Sequence, residues 1–260
     1  MNATSAGSFP AVSVVSMEAP WRWLAMGWRD TWRRPLISFG YGSAFTLIGL
    51  AITAGCWWMG WSAIIPVTAG AFMLAGPILA VGLYEMSRRY AAGEDFRLRD
   101  ILLVKTASPV QLLYLGFGLM FLLLAWFRIA TLLFALFVSD TYPNFADFLP
   151  FAISTPNGLA LLVVGTIIGG AIAFVVFAVS AISVPMLMVR DVDFVTAIIA
   201  SVKCVRRSPG PMLLWAWLIA LLIGFGLATL FIGLIVVFPL VGHATWHAYE
   251  ELASSRASEG

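Results

Sequence analysis

Residues 211–241 read PMLLWAWLIALLIGFGLATLFIGLIVVFPLV and contain no charged side chain. A helix crosses the hydrocarbon core of a bilayer with about 20 apolar residues, so this run predicts a membrane protein. The run is long for one span and short for two. Between Pro211 and Pro239 its only helix breakers are Gly224, Gly226 and Gly233, so both one over-long helix and two short helices stay open at this point.

The composition of the whole chain agrees with that reading. Hydrophobic residues make up 61% and charged residues 11% of the 260 residues, whereas soluble proteins are roughly 45–50% apolar and about 25% charged. A net charge of +2 is too small to indicate a nucleic-acid partner. We expect lipid to cover the surplus of apolar surface.

Three further apolar runs precede residue 211, at 36–84, 110–138 and 158–189. The first is too long for one helix at about 1.5 Å per residue and is predicted to be a hairpin. Its turn falls near Trp57 and Trp61, where clustered tryptophans are typical of a headgroup interface.

Basic residues predict the orientation. They cluster before the first span, after the second and after the fourth, at Arg22, Arg29, Arg33, Arg34, Arg88, Arg89, Arg97, Arg99, Lys105, Arg190, Lys203, Arg206 and Arg207. The other two connections carry no Lys or Arg, so the positive-inside rule places the basic ones in the cytoplasm. Both termini are then expected to be cytoplasmic.

A weak internal repeat favours two helices in the last run. Three times, a mixed segment ends in a basic residue and a proline before an apolar run, and three times the returning helix carries a proline, at Pro77, Pro185 and Pro239. The predicted fold class is therefore an all-α integral membrane protein with six transmembrane helices as three hairpins, each preceded by a short interfacial amphipathic helix. Five spans are the alternative. The predicted spans are about 36–55, 62–86, 110–135, 158–189, 211–227 and 230–248, within a single membrane domain at 19–249 that lies between a disordered tail at 1–18 and a cytoplasmic tail at 250–260.

The first interfacial helix has a clear amphipathic pattern. Trp21, Trp28 and Trp32 recur at helical spacing beside the basic residues Arg33 and Arg34. Such a helix is expected to lie in the headgroup plane, with its rings at the acyl boundary and its guanidinium groups near lipid phosphates. A partner-binding helix is the alternative.

Several motifs resemble a known family. They are the segments at 76–85 (GPILAVGLYE), 87–89 (SRR), 93–94 (GE), 183–187 (SVPML), 190–193 (RDVD) and 239–249 (PLVGHATWHAY). They resemble the integral membrane family called domain of unknown function 2189, over nearly the whole chain after about Trp21. The resemblance implies a bacterial multi-span protein without an assigned activity.

Some members of that family carry a cytochrome c oxidase label. A haem-copper catalytic subunit needs histidines for two haem irons and a copper, whereas this chain has two histidines. His243 and His247 are four residues apart on one predicted helix and cannot supply opposed axial ligands to one haem. We therefore expect no cofactor and no oxidase activity.

His243 and His247 are nevertheless weak candidates for a metal site. The i, i+4 spacing places both rings on one helical face, with Glu250 nearby as a third ligand. The simpler interpretation is an interface belt in which the histidines bond to backbone, headgroups or neighbouring helices. No third histidine, CxxC or HExxH motif supports a metal.

Charges placed near the membrane form the other candidates. Arg128 lies deep in an apolar run, where it can either reach the outer headgroups or face the bundle interior and pair with Asp140 or Asp147. Glu85 has helical spacing to Arg88 and Arg89, typical of a surface ion pair.

Three functions stay open. The leading hypothesis is a non-enzymatic accessory, assembly or scaffold protein that has the lipid bilayer, and a membrane protein or a second copy of itself, as partners. The second is a small-molecule or lipid transporter that uses the proline-kinked helices. The third is a metal- or haem-associated respiratory-chain protein. No P-loop, GxSxG or HExxH motif indicates an enzyme.

Overall fold

A computed structural model describes residues 13–61, 64–138 and 145–253. In these ranges the chain is helical and has no strand. The helices are α1 (Ala19–Arg33), α2 (Pro35–Trp58), α3 (Ile65–Leu79), α4 (Val81–Ala92), α5 (Leu98–Leu102), α6 (Pro109–Phe137), α7 (Phe145–Ser154), α8 (Pro156–Ser180), α9 (Ser183–Val189), α10 (Phe194–Arg207), α11 (Pro209–Ala228) and α12 (Leu234–Ala253).

Five helical segments within the described ranges are long and apolar enough to cross a membrane. They are Pro35–Trp58, Val67–Ala92, Pro109–Phe137, Pro156–Val189 and Pro209–Ala228. Their exposed surfaces are rich in large apolar side chains, for example Leu113, Phe121 and Leu132 on α6. The protein is therefore an all-helical, multi-span integral membrane protein, as its composition predicts.

The last apolar run divides into α11 and α12, and the chain turns at residues 229–233. Helix α12 is not among the five apolar segments, since its second half carries His243, His247, Glu250 and Glu251.

Three of the long helices begin in the same way. Arg34, Ser108 and Ser208 have φ and ψ angles of −137° and 74°, −128° and 69°, and −129° and 60°, and a proline follows each as the first helical residue. A proline disfavours the helical conformation of the residue before it. We call these three residues the junctions. Each separates a shorter helix, α1, α5 or α10, from an apolar one.

The prolines of the returning helices affect the backbone to different degrees. Helix α3 ends at Leu79, two residues after Pro77, and the hydroxyl of Tyr41 donates to the freed carbonyl of Leu79 at 2.7 Å. Helices α8 and α9 break just before Pro185, whereas α12 runs unbroken through Pro239.

The best-packed part of the molecule lies at one end of the bundle. We call this part the cap: α1, α4, α9, α10 and residues 241–253 of α12. Helix α12 packs against α1, α2 and α4 and is buried on nearly every side from Val237 to Ala253. The cap therefore surrounds α12 with protein, whereas most apolar side chains of α6 and α8 are partly or fully exposed.

Two expectations need correction. Residues 13–18 were predicted to be part of a disordered tail, but the Ser13 N–H donates to Leu252 O at 3.1 Å and the Val15 N–H donates to the Ser208 hydroxyl at 3.1 Å. These bonds, together with burial of the Val15 side chain, order the segment along the cap. The histidines of α12 were predicted to form an interface belt that bonds to backbone, headgroups or neighbouring helices. His243 and Trp246 are instead buried inside protein, and of these partners His243 contacts the neighbouring helices α2 and α4.

Candidate functional site: a buried histidine–aspartate cluster

A cluster of polar side chains joins four helices inside the cap. Asp30 from α1 is 3% exposed, and Ser38 from α2, Ser87 from α4 and His243 from α12 are fully buried. His247, one turn after His243, is partly buried. We call these five residues the cluster.

Asp30 is the central acceptor. Its Oδ2 atom lies 2.8 Å from the Ser87 hydroxyl and 2.8 Å from Nε2 of His247. Its Oδ1 atom is 3.4 Å from a guanidinium nitrogen of Arg33, one turn later on α1. One carboxylate thus ties α1 to both α4 and α12.

His243 continues the network towards α2. Its Nδ1 atom lies 2.8 Å from the Ser87 hydroxyl oxygen, and its Nε2 atom lies 3.2 Å from the Ser38 hydroxyl. Gly27, one turn before Asp30, lets α1 approach closely, because a Cβ atom there would lie only 2.7 Å from the backbone nitrogen of Ala244.

The environment of Asp30 favours its ionised form. Burial by itself raises the pKa of Asp30, but the hydrogen bonds from His247 and Ser87 and the nearby histidines outweigh it and hold the pKa below its ordinary value. An ionised carboxylate can only accept, so Ser87 donates to Asp30 and Nδ1–H of His243 donates to Ser87. Nε2 of His243 then accepts from Ser38.

This order of donors differs from that of a nucleophilic triad. A catalytic serine donates its proton to a histidine whose other nitrogen is held by a carboxylate. Here Ser87 donates a hydrogen bond to the carboxylate and accepts one from Nδ1–H of His243. Ser87 is also fully buried, so no substrate can reach its hydroxyl. The arrangement connects α4 to α1 and α12 by hydrogen bonds.

The two histidines do not offer free nitrogens to one metal ion. Both nitrogens of His243 contact serines, and those of His247 face Asp30 at 2.8 Å and Glu250 at 3.6 Å. Across the described ranges, no group of three or more His, Cys, Asp or Glu side chains is arranged to hold a metal ion. Glu250 does lie beside His247, as the spacing predicts, but as an ionic neighbour.

A cleft of about 780 Å³ opens beside the cluster. His247 and Trp246 form part of its wall, and its rim carries basic and acidic side chains, Arg88 and Arg190 against Glu250 and Glu251. Arg190 also donates to Ala253 O at 2.9 Å, which fixes the end of α12 at this rim.

The predicted ion pair on α4 is present at the same end of the molecule. Arg88 binds both oxygens of Glu85, at 2.8 and 3.0 Å, and reaches Glu94 at 3.0 Å. Arg89 also contacts Glu85. Glu85 is buried, so these side chains fix the cleft wall instead of standing free as a surface pair.

The tryptophans of α1 face outwards. Trp21, Trp28 and Trp32 are each about half exposed, whereas Trp23 on the opposite face is buried and its Nε1–H donates to Glu251 at 2.8 Å. The exposed face is available to lipid or to a partner.

Arg33 and Arg34 close the end of α1. Their guanidinium groups lie over the rings of Tyr90 and Phe96 at 5.1 and 4.4 Å. The two arginines therefore bind the end of α4 and the segment after it, in addition to supplying charge.

Arg128 lies elsewhere. Its side chain is exposed on α6 and borders a shallow cleft with Leu124, Phe127 and Thr131. An exposed position is the one expected of an arginine that reaches headgroups. Asp140, one of its two proposed partners, is outside the described residues, and the side chain of Asp147 is not described.

Asp30, Ser38 and Ser87 were missed as site residues by reasoning from the sequence. A signal for Asp30 does exist, because Trp23, Gly27 and Asp30 recur at helical spacing on the face of α1 opposite the exposed tryptophans. Ser38 and Ser87 carry no such signal, since single serines are common in apolar helices.

The architecture defines a polytopic, all-helical membrane protein whose polar groups are concentrated in one cap. Residues 64–189 match the family described as "Predicted integral membrane protein (DUF2189)". This part of the chain is similar to the family, and it contains the motifs at 76–85 and 183–187. No curated protein and no solved structure matches the chain.

Proposed function

We propose that the protein is a non-enzymatic accessory, assembly or scaffold factor of a bacterial inner membrane, with the cap in the cytoplasm. The positive-inside rule supports this orientation, because the cap carries the basic segments around Arg33, Arg88 and Arg206. The bilayer is one partner, and a membrane protein or a second copy of the chain is the other.

Contacts inside the cap favour three hairpins that leave and return on the same side. Ser38 near the start of α2 and Ser87 near the end of α4 both contact His243. The Ala107 N–H, just before α6, donates to Met188 O in α9 at 2.8 Å. Residues before α1 bond to Ser208, just before α11, and to Leu252, near the end of α12.

The observation that carries the proposed role is the closed cluster beside an open cleft. The polar groups of the cluster are hydrogen-bonded to one another, which favours a rigid structural role over a reactive centre. The cleft, in contrast, presents opposite charges on a preformed rim, a surface suited to a polar segment of another protein.

Two neighbouring alanines provide a matched test. Ala91 and Ala92 are both exposed near the end of α4, but only Ala91 lines the cleft. Ala91→Trp should fill the cleft and abolish co-purification of the partner in mild detergent. Ala92→Trp adds the same ring outside the cleft and should retain the partner. Equal thermal unfolding of both variants is the control for folding.

Equal partner recovery with both variants would refute a docking role for the cleft. Recovery of no protein with the unsubstituted chain would count against the accessory role itself. Transport, the alternative of another class, requires a polar chamber at mid-membrane. Substrate uptake by reconstituted vesicles that Arg128→Leu abolishes would favour it.

A further inference from the structure

The turn between α11 and α12 has an unusual composition for a loop. Residues 228–234 read Ala-Thr-Leu-Phe-Ile-Gly-Leu, and the side chains of Leu230 and Ile232 are 71% and 62% exposed. Turns in water are usually built from Gly, Pro, Asn, Asp and Ser. An apolar turn that exposes Leu and Ile is suited to lipid instead.

The depth of this turn follows from its contacts with α2. Ser38 and His243 are hydrogen-bonded and therefore lie at the same depth. From Ser38 to Trp58 helix α2 rises about 30 Å, the full thickness of a hydrocarbon core, whereas from His243 back to Gly233 helix α12 rises only about 15 Å.

Direct contacts at the turn give the same depth. The Thr46 hydroxyl donates to Phe231 O at 2.9 Å, and the ring of Phe231 packs on Gly49. Helix α2 continues from Gly49 to Trp58, about 13 Å further. The turn therefore lies beside the middle of α2, well short of the tryptophans at its far end.

The backbone of the turn is adapted to an apolar medium. Leu230 and Phe231 adopt positive φ angles of 53° and 66°, so the turn interrupts the regular helical hydrogen bonds. Irregular backbone at membrane depth is tolerated only where it is buried in protein or lines a water-filled cavity, and Ser or Thr side chains can bond the backbone groups that it frees. The Thr229 hydroxyl accepts from Gly233 N–H at 2.9 Å and contacts Gly226 O at 3.0 Å, while Thr46 binds Phe231 O.

We propose that α11 and α12 form a re-entrant hairpin that enters the bilayer from the cap side and turns near the midplane, where Leu230 and Ile232 contact acyl chains. This inference rests on the proposed position of the cap in the cytoplasm. In this arrangement α11 and α12 reach only half the depth of the bilayer instead of crossing it twice. Both termini stay on the cap side.

Site-directed spin labelling tests the depth of the tip. Cys56 and Cys204 are first replaced by Ala, and single cysteines are then introduced as Ile232→Cys at the tip, Trp58→Cys at the far end of α2 and Arg99→Cys on α5, which packs on α4 of the cap. In vesicles, the label at position 232 should collide readily with oxygen and rarely with a polar nickel complex. The label at 58 should be accessible to the complex.

Thiol modification gives a second readout. An impermeant reagent should modify Ile232→Cys at least about tenfold more slowly than Trp58→Cys from the outside, and equally slowly from the inside, because the hydrocarbon excludes it. Modification as fast as that of Trp58→Cys would overturn the proposal, and so would a label at 232 that neither oxygen nor nickel can reach. Arg99→Cys reports the orientation separately: its modification from the outside would refute the cytoplasmic cap and leave the depth of the tip unaffected.

Discussion

Replacing Gly42 by Ala tests the packing of α2 on α12. A Cβ atom at position 42 would lie 2.4 Å from the carbonyl oxygen of Ile235 and 2.8 Å from its carbonyl carbon. These are backbone atoms of α12, so no side-chain rotation can relieve the contact. Overpacking of this kind typically costs about 1–3 kcal/mol, and here the two helices must separate.

Gly40 provides the control on the same helix. A Cβ atom at Gly40 would meet no atom within 4 Å, and Ala is favoured over Gly in a helix by up to about 1 kcal/mol. Gly40→Ala should therefore be neutral or stabilising. Because both variants share the gain in helix propensity, their free energies of unfolding should differ by about 1–3 kcal/mol, the overpacking term.

The measurement is the free energy of unfolding in detergent micelles, followed by the change in helical circular dichroism as a denaturing detergent is added. Gly42→Ala should unfold at a lower fraction of denaturing detergent than the unsubstituted protein. Unfolding curves that coincide for the Gly42→Ala and Gly40→Ala proteins would refute the close approach of α2 to α12, and with it the depth assigned to the hairpin tip.

Other substitutions test the remaining contacts. Asp30→Asn should lower the free energy of unfolding by about 1–3 kcal/mol, because His247 and Ser87 lose a charged acceptor; an unchanged value would contradict the cluster. Since folding lowers the pKa of Asp30 below its ordinary 3.8, the stability it contributes is complete above that pH and is lost as the pH falls through the folded value. Acid titration of Asp30→Asn should lack this loss, and an identical acid dependence in both proteins would disprove the assignment. Ser201→Ala should cost about 1–3 kcal/mol, because the Ser201 hydroxyl accepts from Ile182 N–H at 3.2 Å and donates to Ala178 O at 2.7 Å across the break between α8 and α9. Ser180→Ala, which removes only a bond to Val176 O within the same helix, should cost less; the reverse order would refute the bridging role.

The sequence predicts the starts of the long helices well because their cause is local. A proline fixes its own φ angle and restricts the residue before it, so Pro35, Pro109 and Pro209 indicate where three helices begin. Residues 13–18 were wrongly assigned to the predicted tail, because the bonds of Ser13 and Val15 are made to residues distant in the chain.

The cluster could not be predicted for the same reason. Asp30 and His247 are 217 residues apart in the sequence and meet only because α1 packs on α12. The i, i+4 spacing of His243 and His247 correctly places both on one side of a helix, but it does not reveal what faces them. Two serines and an aspartate from three other helices fill the positions that a metal ion would need.

The repeat that is weak in the sequence is much clearer in the contacts. We call each shorter helix, together with the hairpin that follows it, a unit. Gly27, Ile101 and Ser201 stand seven residues before the three junctions, and each contacts the returning helix of another unit, at Ala244, Gly82 and Ile182 respectively. The three shorter helices, α1, α5 and α10, accordingly pack on α12, α4 and α9. Because α1 belongs to the first unit and α12 to the last, the packing closes a ring.

The junctions close the same ring. Arg34 binds the carbonyl of Phe96 after α4, Ser108 binds that of Arg190 after α9, and Ser208 accepts from the N–H of Val15 before α1. The loops after α4 and α9 thus bond to the first two junctions, and residues 13–16 bond to the third junction in the same way. Of the three shorter helices, α1 is the longest, at 15 residues, and covers the most of its returning helix. The buried charge of Asp30 lies at this contact between α1 and α12. Here the ring is closed by packing and hydrogen bonds, because no peptide connection joins the third unit to the first.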